Sequence, residues 1–263
     1  MKTGINFYSK WPYEQVVQAF LKNGVDTTFV CVGHPQFDDV MAMLKKVNIT
    51  VENLHAPFRG INDIWQEGKA GDEMLEKLLY SVDCCVKYNV GIMVAHVSSG
   101  RPMAKITDIG LKRFDRLMEY AKQKNVTVAF ESHRYRENVQ YIIERYPEAG
   151  FCLDTCHEYA FTPGIRYIPL WSDRLVATHI SDNDDVYDKD KHMLPFDGVI
   201  DFKKTAYELA NCKKDVTLML EVKPDNHERY ANVSINDYYE RACKSLKQLK
   251  ALVDEYKKQS IIL

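Results

Sequence analysis

The chain is expected to fold as one (β/α)8 barrel, and three observations predict it. Short β-rich runs alternate with helical runs eight times, with no break in composition along the way. The length of 263 residues suits a barrel of this kind, which typically uses about 250. Six of the β-type runs stop on a histidine or a carboxylate, at the strand ends where such barrels carry their chemistry. Strands alternating with helices imply a parallel sheet with right-handed crossovers, and eight such units close most simply into a barrel. The competing arrangement is an open doubly wound sheet, but the first strand lacks the Gly-x-Gly-x-x-Gly turn that usually accompanies it.

Taken in order, Thr3 to Phe7 reads as a strand and Tyr13 to Lys22 as a helix stopped by Asn23-Gly24. Asp26 to Val32 is the second strand, Phe37 to Lys46 a helix, and Ile49 to Leu54 the third strand. A long connection from Ala56 to about Glu73 carries Phe58, Arg59, Trp65 and Gly71, and a helix follows from Met74 to Tyr88. Connections longer than about 12 residues in a compact domain are usually functional loops. Gly91 to His96 is the fourth strand, and the next helix lines up Phe114, Leu117, Met118 and Ala121 on one face. Val126 to Glu131 is the fifth strand, Glu137 to Arg145 a helix, and Ala149 to Asp154 the sixth strand. A short helical piece with Pro163-Gly164 leads to the seventh, Leu175 to His179. An acidic loop, a helix from about Phe202 to Cys212 and the eighth strand, Val216 to Val222, come next. The final helix places Tyr239, Ala242, Leu246, Leu249 and Val253 on one face.

Composition narrows the function. Hydrophobic residues make up 46% of the chain and charged residues 27%, enough apolar content for a sizeable core. A formal net charge of -2 gives no global attraction to nucleic acid or membrane. The N-terminus lacks the apolar run of a signal peptide, and no stretch reaches the roughly 18 apolar residues of a membrane span, so a soluble cytoplasmic protein is expected. The 7 cysteines are odd in number and sit inside predicted elements, which fits reduced thiols better than disulfides. Cys152 and Cys156 flank Asp154 without a second cysteine pair, which disfavours a thiolate zinc site.

The chemistry gathers around the run from Phe151 to His157, a strand that ends on Asp154 with His157 three residues on. The runs ending at His55, His96, Glu131, His179 and Glu221 repeat that pattern. A lone histidine at a strand end is usually a satisfied polar residue. Five histidines (His55, His96, His157, His179 and His192) at or just beyond strand ends, matched by three carboxylates, are hard to explain that way. Carboxylates ending buried strands repel one another unless a cation neutralises them, so a divalent metal is the economical answer. Glu131, Asp154, His179 and Glu221 come from strands five to eight and offer an O,O,N,O set suited to Mn²⁺, Zn²⁺, Co²⁺ or Mg²⁺. An open coordination position would accept a substrate hydroxyl and carbonyl. His34, His133 and His227 are expected in loops or at the surface, the last two near enough to strand ends to touch substrate.

These residues carry a resemblance. Leu54-His55-Ala-Pro-Phe58, Ala95-His96-Val-Ser-Ser99, Phe130-Glu131-Ser-His133, Leu153-Asp154-Thr-Cys-His157, Thr178-His179-Ile-Ser-Asp182, Asp190-Lys-His192, Pro195-Phe-Asp-Gly198-Val-Ile-Asp201 and Leu220-Glu221-Val-Lys223 are similar to the xylose isomerase-like TIM-barrel superfamily. That superfamily joins sugar and sugar-phosphate isomerases and epimerases with the endonuclease IV type of apurinic-site nuclease. Likeness to the epimerases implies one metal ion on Glu131, Asp154, His179 and Glu221. Glu131 and Glu221 would be the acid/base pair acting through a cis-enediolate, and His157 would bind a substrate oxygen. His55, His96, His192 and Lys223 are then expected to contact the sugar, with Phe58 and Trp65 from the third loop either stacking on it as a lid or pinning that loop. Likeness to the nuclease implies a trinuclear zinc site that also recruits His55, His96, His157, Asp190 and His192.

The charge of one loop favours the sugar enzyme, and two further departures from the family pattern bear on which substrate it takes. The loop after strand seven carries Asp182, Asp184, Asp185, Asp188 and Asp190 against Lys189 and Lys191, which would repel a DNA backbone and, because barrels bind substrate phosphate near strands seven and eight, favours an unphosphorylated sugar. Asp185 stands where many epimerases carry arginine, and Phe196 replaces the glycine of the usual Pro-Gly pair. Homodimers and homotetramers are common among the resembling proteins.

Overall fold

The β-rich runs form eight parallel strands whose helical returns cross the outside. The computed structural model describes residues 1–186 and 188–262. The strands are β1 (Thr3–Ile5), β2 (Thr27–Cys31), β3 (Thr50–His55), β4 (Ile92–Ala95), β5 (Thr127–Glu131), β6 (Gly150–Asp154), β7 (Leu175–His179) and β8 (Leu218–Leu220). Strands β2 to β7 pair in sequence order, and β1 pairs with β8. Two thinner seams close the ring: Phe7 N donates to Phe29 O at 3.0 Å, and Ile180 N donates to Met219 O at 2.8 Å. The fold is the expected α/β barrel, in one domain.

Around it lie α1 (Tyr13–Asn23), α2 (Phe37–Lys46), α3 (Lys69–Tyr88), α4 (Asp108–Gln123), α5 (Arg136–Arg145), α6 (Thr155–Phe161), α7 (Ile168–Trp171), α8 (Phe202–Ala210) and α9 (Ile235–Ile262). Their apolar stripes face the strands: Phe114, Leu117, Met118 and Ala121 of α4 are buried, as are Tyr239, Ala242, Leu246, Leu249 and Val253 of α9. Inside the ring Val94, Ala129, Cys152 and Ala177 pack as a layer of small side chains. Strand side chains two residues apart share a face. The next inward positions toward the C-terminal mouth are therefore His96, Glu131, Asp154 and His179, with Asp154 paired opposite His179 in the β6–β7 register.

The third connection is more ordered than its composition suggests. Ile61–Trp65 forms a 3-10 turn, and α3 begins at Lys69 rather than Met74. Buried Arg113 of α4 causes this: its guanidinium donates to the carbonyls of Ile64, Gln66 and Gly68 at 2.8, 2.5 and 3.2 Å, and pairs with Asp72 at 2.8 Å. The chain passes so close that a Cβ at Gly71 would lie 2.1 Å from that guanidinium, which explains a glycine in the first turn of a helix.

Candidate metal centre

Three imidazoles converge on the buried carboxylate of Glu131 at the end of β5. Its Oε2 lies 3.1 Å from His55 Nε2 and 2.7 Å from His96 Nε2, and its Oε1 lies 2.7 Å from His179 Nδ1. Burial alone would raise this carboxyl, but His179 and His96 outweigh it and hold the group well below the usual carboxylate range. His96 itself is pushed down to about 4 by burial. The His179 ring stacks on Phe29 with centroids 4.4 Å apart, and its Nδ1 is also 3.2 Å from Glu221 Oε2. Burial favours its neutral form, yet the surrounding negative charge, including Glu131 and Glu221, raises its pKa well above the ordinary value.

Glu221 follows β8 directly, and Lys223 Nζ lies 3.1 Å from its Oε1. Against burial, Lys223 and His192 hold the Glu221 carboxyl well below the usual range. Asp154 serves two ends. Its Oδ1 caps α6 by accepting the His157 amide at 2.7 Å, while its buried Oδ2 has no hydrogen-bond partner. Burial lifts its pKa to about 7. An unpartnered buried carboxylate oxygen carries a desolvation penalty that a cation would remove. Glu131, Asp154, His179 and Glu221 each offer one ligand atom, all within 4.8 Å of one another.

Two further groups satisfy the same spacing: His55, Glu131 and His179, and Asp154, His157 and His192. Asp190 adjoins the second, its Oδ2 lying 3.2 Å from His157 Nε2 and 2.9 Å from His192 Nε2. Burial is outweighed there by His192 and His157, which hold Asp190 well below the usual range. His157 is braced by Ser132 O, 2.9 Å from its Nδ1. Although burial favours the neutral ring, Asp154 and Asp190 push its pKa up to about 10. His192 Nδ1 lies 3.0 Å from Glu221 O and 3.1 Å from Ser181 Oγ.

The structure thus brings Glu131, Asp154, His179, Glu221, His55, His96, His157 and His192 into one cluster, with Lys223 at its edge. Phe58 covers the rim: it is 45% exposed and its ring stacks on His96 at 4.5 Å. Trp65 does not face the mouth. Its ring is buried 5.0 Å from Phe114, its indole N–H donates to Val97 O at 2.9 Å, and a Cβ at Gly110 would strike it at 2.2 Å. It pins the third loop, so its expected place as a lid is corrected. His34 and His133 lie in loops, as expected, but are buried there, whereas His227 is half-buried.

His133 is the residue that sequence reasoning underrated. Its ring lies 4.7 Å from both His96 and His157. Its spacing two residues beyond Glu131 was the available signal.

The acidic loop is less exposed as charge than its count suggests. Asp182 is buried and accepts the amides of Asn183, Gly198 and Ile200 at 2.8, 2.8 and 2.9 Å, so it shapes the turn. Asp190 meets two histidines, Asp185 accepts the Tyr159 hydroxyl at 3.0 Å, and Asp188 pairs with Arg101 and Arg134. Phe196 takes the left-handed backbone, φ 73°, a conformation that glycine adopts without the steric cost of a Cβ. All 7 cysteines are free thiols. Among the described residues, no helix is long and apolar enough to cross a membrane.

Fold and site together define a (β/α)8 barrel with a cluster of carboxylates and imidazoles spaced for metal binding at its C-terminal mouth. The chain belongs to the xylose isomerase-like TIM barrel family, whose model matches residues 16–252. The protein y4fM of Sinorhizobium fredii (strain NBRC 101917 / NGR234) is 31% identical over 140 residues, which is 50% of this chain and 43% of that protein. The match therefore spans less than half the length of that relative. A structure of the IolI protein with a bound zinc atom superposes with a TM-score of 0.75 at 18% identity, covering 97% of this chain and 99% of that one. L-ribulose 3-epimerase gives 0.76 at 14% identity, covering 100% and 98%. The TTHB071 protein of Thermus thermophilus, soaked with ZnCl2, gives 0.70 at 19% identity, covering 97% and 99%. At these identities the likeness is one of fold.

Proposed function

We propose that the protein is a divalent-metal-dependent sugar isomerase or epimerase, with residues 1–263 working as one catalytic domain. The observation that carries this reading is the group Glu131, Asp154, His179 and Glu221, an O,O,N,O donor set at the ends of consecutive strands. The unpartnered Asp154 Oδ2 supports its use for a cation. Superposition on a 3-epimerase and on two zinc-associated barrels agrees with it. These four residues would hold Mn²⁺, Zn²⁺, Co²⁺ or Mg²⁺, and the bound ion would polarise the substrate carbonyl and neutralise developing negative charge.

The chain's own groups supply the rest. One of Glu131 and Glu221 takes the proton alpha to the carbonyl, giving a cis-enediolate. The other, protonated from solvent, returns a proton to that carbon for epimerisation, or to its neighbour for isomerisation, and the first releases its own proton to solvent. Lys223 keeps Glu221 ionised and so able to accept the proton. His157, braced by Ser132 O at its Nδ1, shifts its Nε2–H from Asp190 to a substrate oxygen. His55, His96 and His192 line the polar wall, and Phe58 shields the site from water. We place the protein in the cytoplasm, as a homodimer or homotetramer acting on a small-molecule sugar. The test is incubation of the metal-loaded protein with a panel of ketoses in D2O. Deuterium entering next to the carbonyl, lost in Glu131→Gln and Glu221→Gln, supports the reading; no exchange with any sugar contradicts it.

A second reading rests on a separate observation. His55 and His96 share Glu131 Oε2, and His157 and His192 share Asp190 Oδ2, so side chains for two further ions are present. That arrangement would suit phosphodiester cleavage at abasic sites by a trinuclear zinc centre. Incision of an abasic duplex by the zinc-loaded protein would favour it.

A further inference from the structure

Asp188 sits between two arginines at the rim of the cluster. Its Oδ2 lies 2.9 Å from Arg101 Nη2, and its Oδ1 pairs with Arg134 Nη1. The arginines come from the loops after β4 and β5, and the aspartate from the loop after β7, so three mouth loops meet at one carboxylate. Each carboxylate oxygen takes its own guanidinium, the mode in which paired arginines hold a carboxylate or phosphate.

The position of this fork connects it with the metal centre. The Arg134 guanidinium stands 3.9 Å over the Phe161 ring, and that ring lies 5.4 Å from His157 and 5.5 Å from His133. Stacking fixes the planar cation in place and leaves it only 15% exposed. Asp188 is two residues before Asp190, whose carboxylate reaches His157 and His192. One buried polar atom on the far side of the Phe161 ring, His133 Nδ1, has no hydrogen-bond partner. A surface latch between loops would need neither a stacked, nearly buried arginine nor a ring nitrogen left open beside it.

We infer that Arg101 and Arg134 form an anion subsite, occupied here by Asp188 as an internal stand-in, and that the substrate carries an anionic group that displaces it. The anion belongs to a sugar carboxylate or a sugar phosphate, held at the end of the substrate away from the metal ligands. His133 is placed to donate to it or to the adjoining hydroxyl. Displacing Asp188 would free the loop that carries Asp190, coupling arrival of the charged substrate to the arrangement around His157. This inference rests on the sugar-enzyme reading for the other end of the substrate.

The test is titration of metal-loaded protein with inorganic phosphate by calorimetry, which requires no turnover and so stands or falls separately from deuterium exchange. An internal competitor that fills the fork in about nine-tenths of molecules weakens external binding about tenfold. Asp188→Ala, and the similarly sized Asp188→Asn, should therefore bind phosphate about tenfold more tightly than the wild type. Adding Arg101→Ala or Arg134→Ala to either variant should abolish the gain. A ketose phosphate and a hexuronate titrated against the same variants identify the source, as the one whose gain depends on both arginines. No gain on removing Asp188, a gain that survives loss of Arg134, or an equal gain for a neutral ketose would overturn the inference.

Discussion

Glu131 Oε1 and His179 Nδ1 stand 2.7 Å apart, joining β5 and β7 across the mouth of the barrel over the intervening β6. Because Glu131 Oε2 also meets His55 and His96, one carboxylate organises three imidazoles. Glu131→Gln keeps the shape and removes the charge. It should weaken metal binding by at least about tenfold to a hundredfold. It should also lower the stability of the metal-free protein by about 1–3 kcal/mol through loss of charged hydrogen bonds, read as a drop in melting temperature.

Protonation gives the second prediction. In the metal-free protein His157 is raised to about 10, against about 6.5 in an unfolded chain. The folded form binds this proton more tightly, so its stabilising contribution is complete below about pH 6.5 and fades as the pH rises toward 10. The melting temperature of the metal-free protein should therefore fall steadily across that window. His179, raised well above the ordinary value, must lose its proton to ligate through Nδ1. Calorimetry at pH 7 in buffers of different ionisation enthalpy should show about one or more protons released per ion bound.

Two aromatic residues of the third loop should separate cleanly. Trp65→Ala removes a buried ring and its hydrogen bond to Val97, and should cost about 3–5 kcal/mol of stability. Phe58→Ala, at an exposed position, should change stability by about 0.5 kcal/mol or less. It should nonetheless raise the apparent KM for the sugar, because the ring covers His96. Equal effects of the two changes on unfolding would contradict this division.

Arg113→Lys gives a fourth comparison. An ammonium cannot reproduce the planar fork that meets Ile64, Gln66 and Gly68, so about 1–3 kcal/mol should be lost as carbonyls go unpaired. Limited proteolysis should then cut earlier within the 61–68 segment.

Much of this was legible in sequence because it is periodic. Strand side chains repeat every two residues, so a buried run that stops on His96, Glu131, Asp154 or His179 already states which side chains face inward at the mouth. What escaped was set by partners distant in sequence. Gly71, Asp72 and Glu73 read as loop because Arg113, whose guanidinium shapes that turn, lies in another helix. Trp65 looked like a lid because nothing local marks Gly110 and Phe114 as its bed. The acidic loop read as a field of like charge because Arg101, Arg134 and Tyr159, which meet its aspartates, come from other loops and helices. His133 lies just beyond a strand end, where period-two reasoning weakens.

The central claim is tested most directly by metal content: elemental analysis of protein purified without chelator, for wild type, Glu131→Gln and His96→Ala. The account predicts about one ion per chain in the wild type, lost in Glu131→Gln and retained in His96→Ala, as the O,O,N,O set requires. Absence of any bound metal in the wild type, or two to three zinc ions of which some disappear in His96→Ala, would contradict it, the latter in favour of the phosphodiesterase.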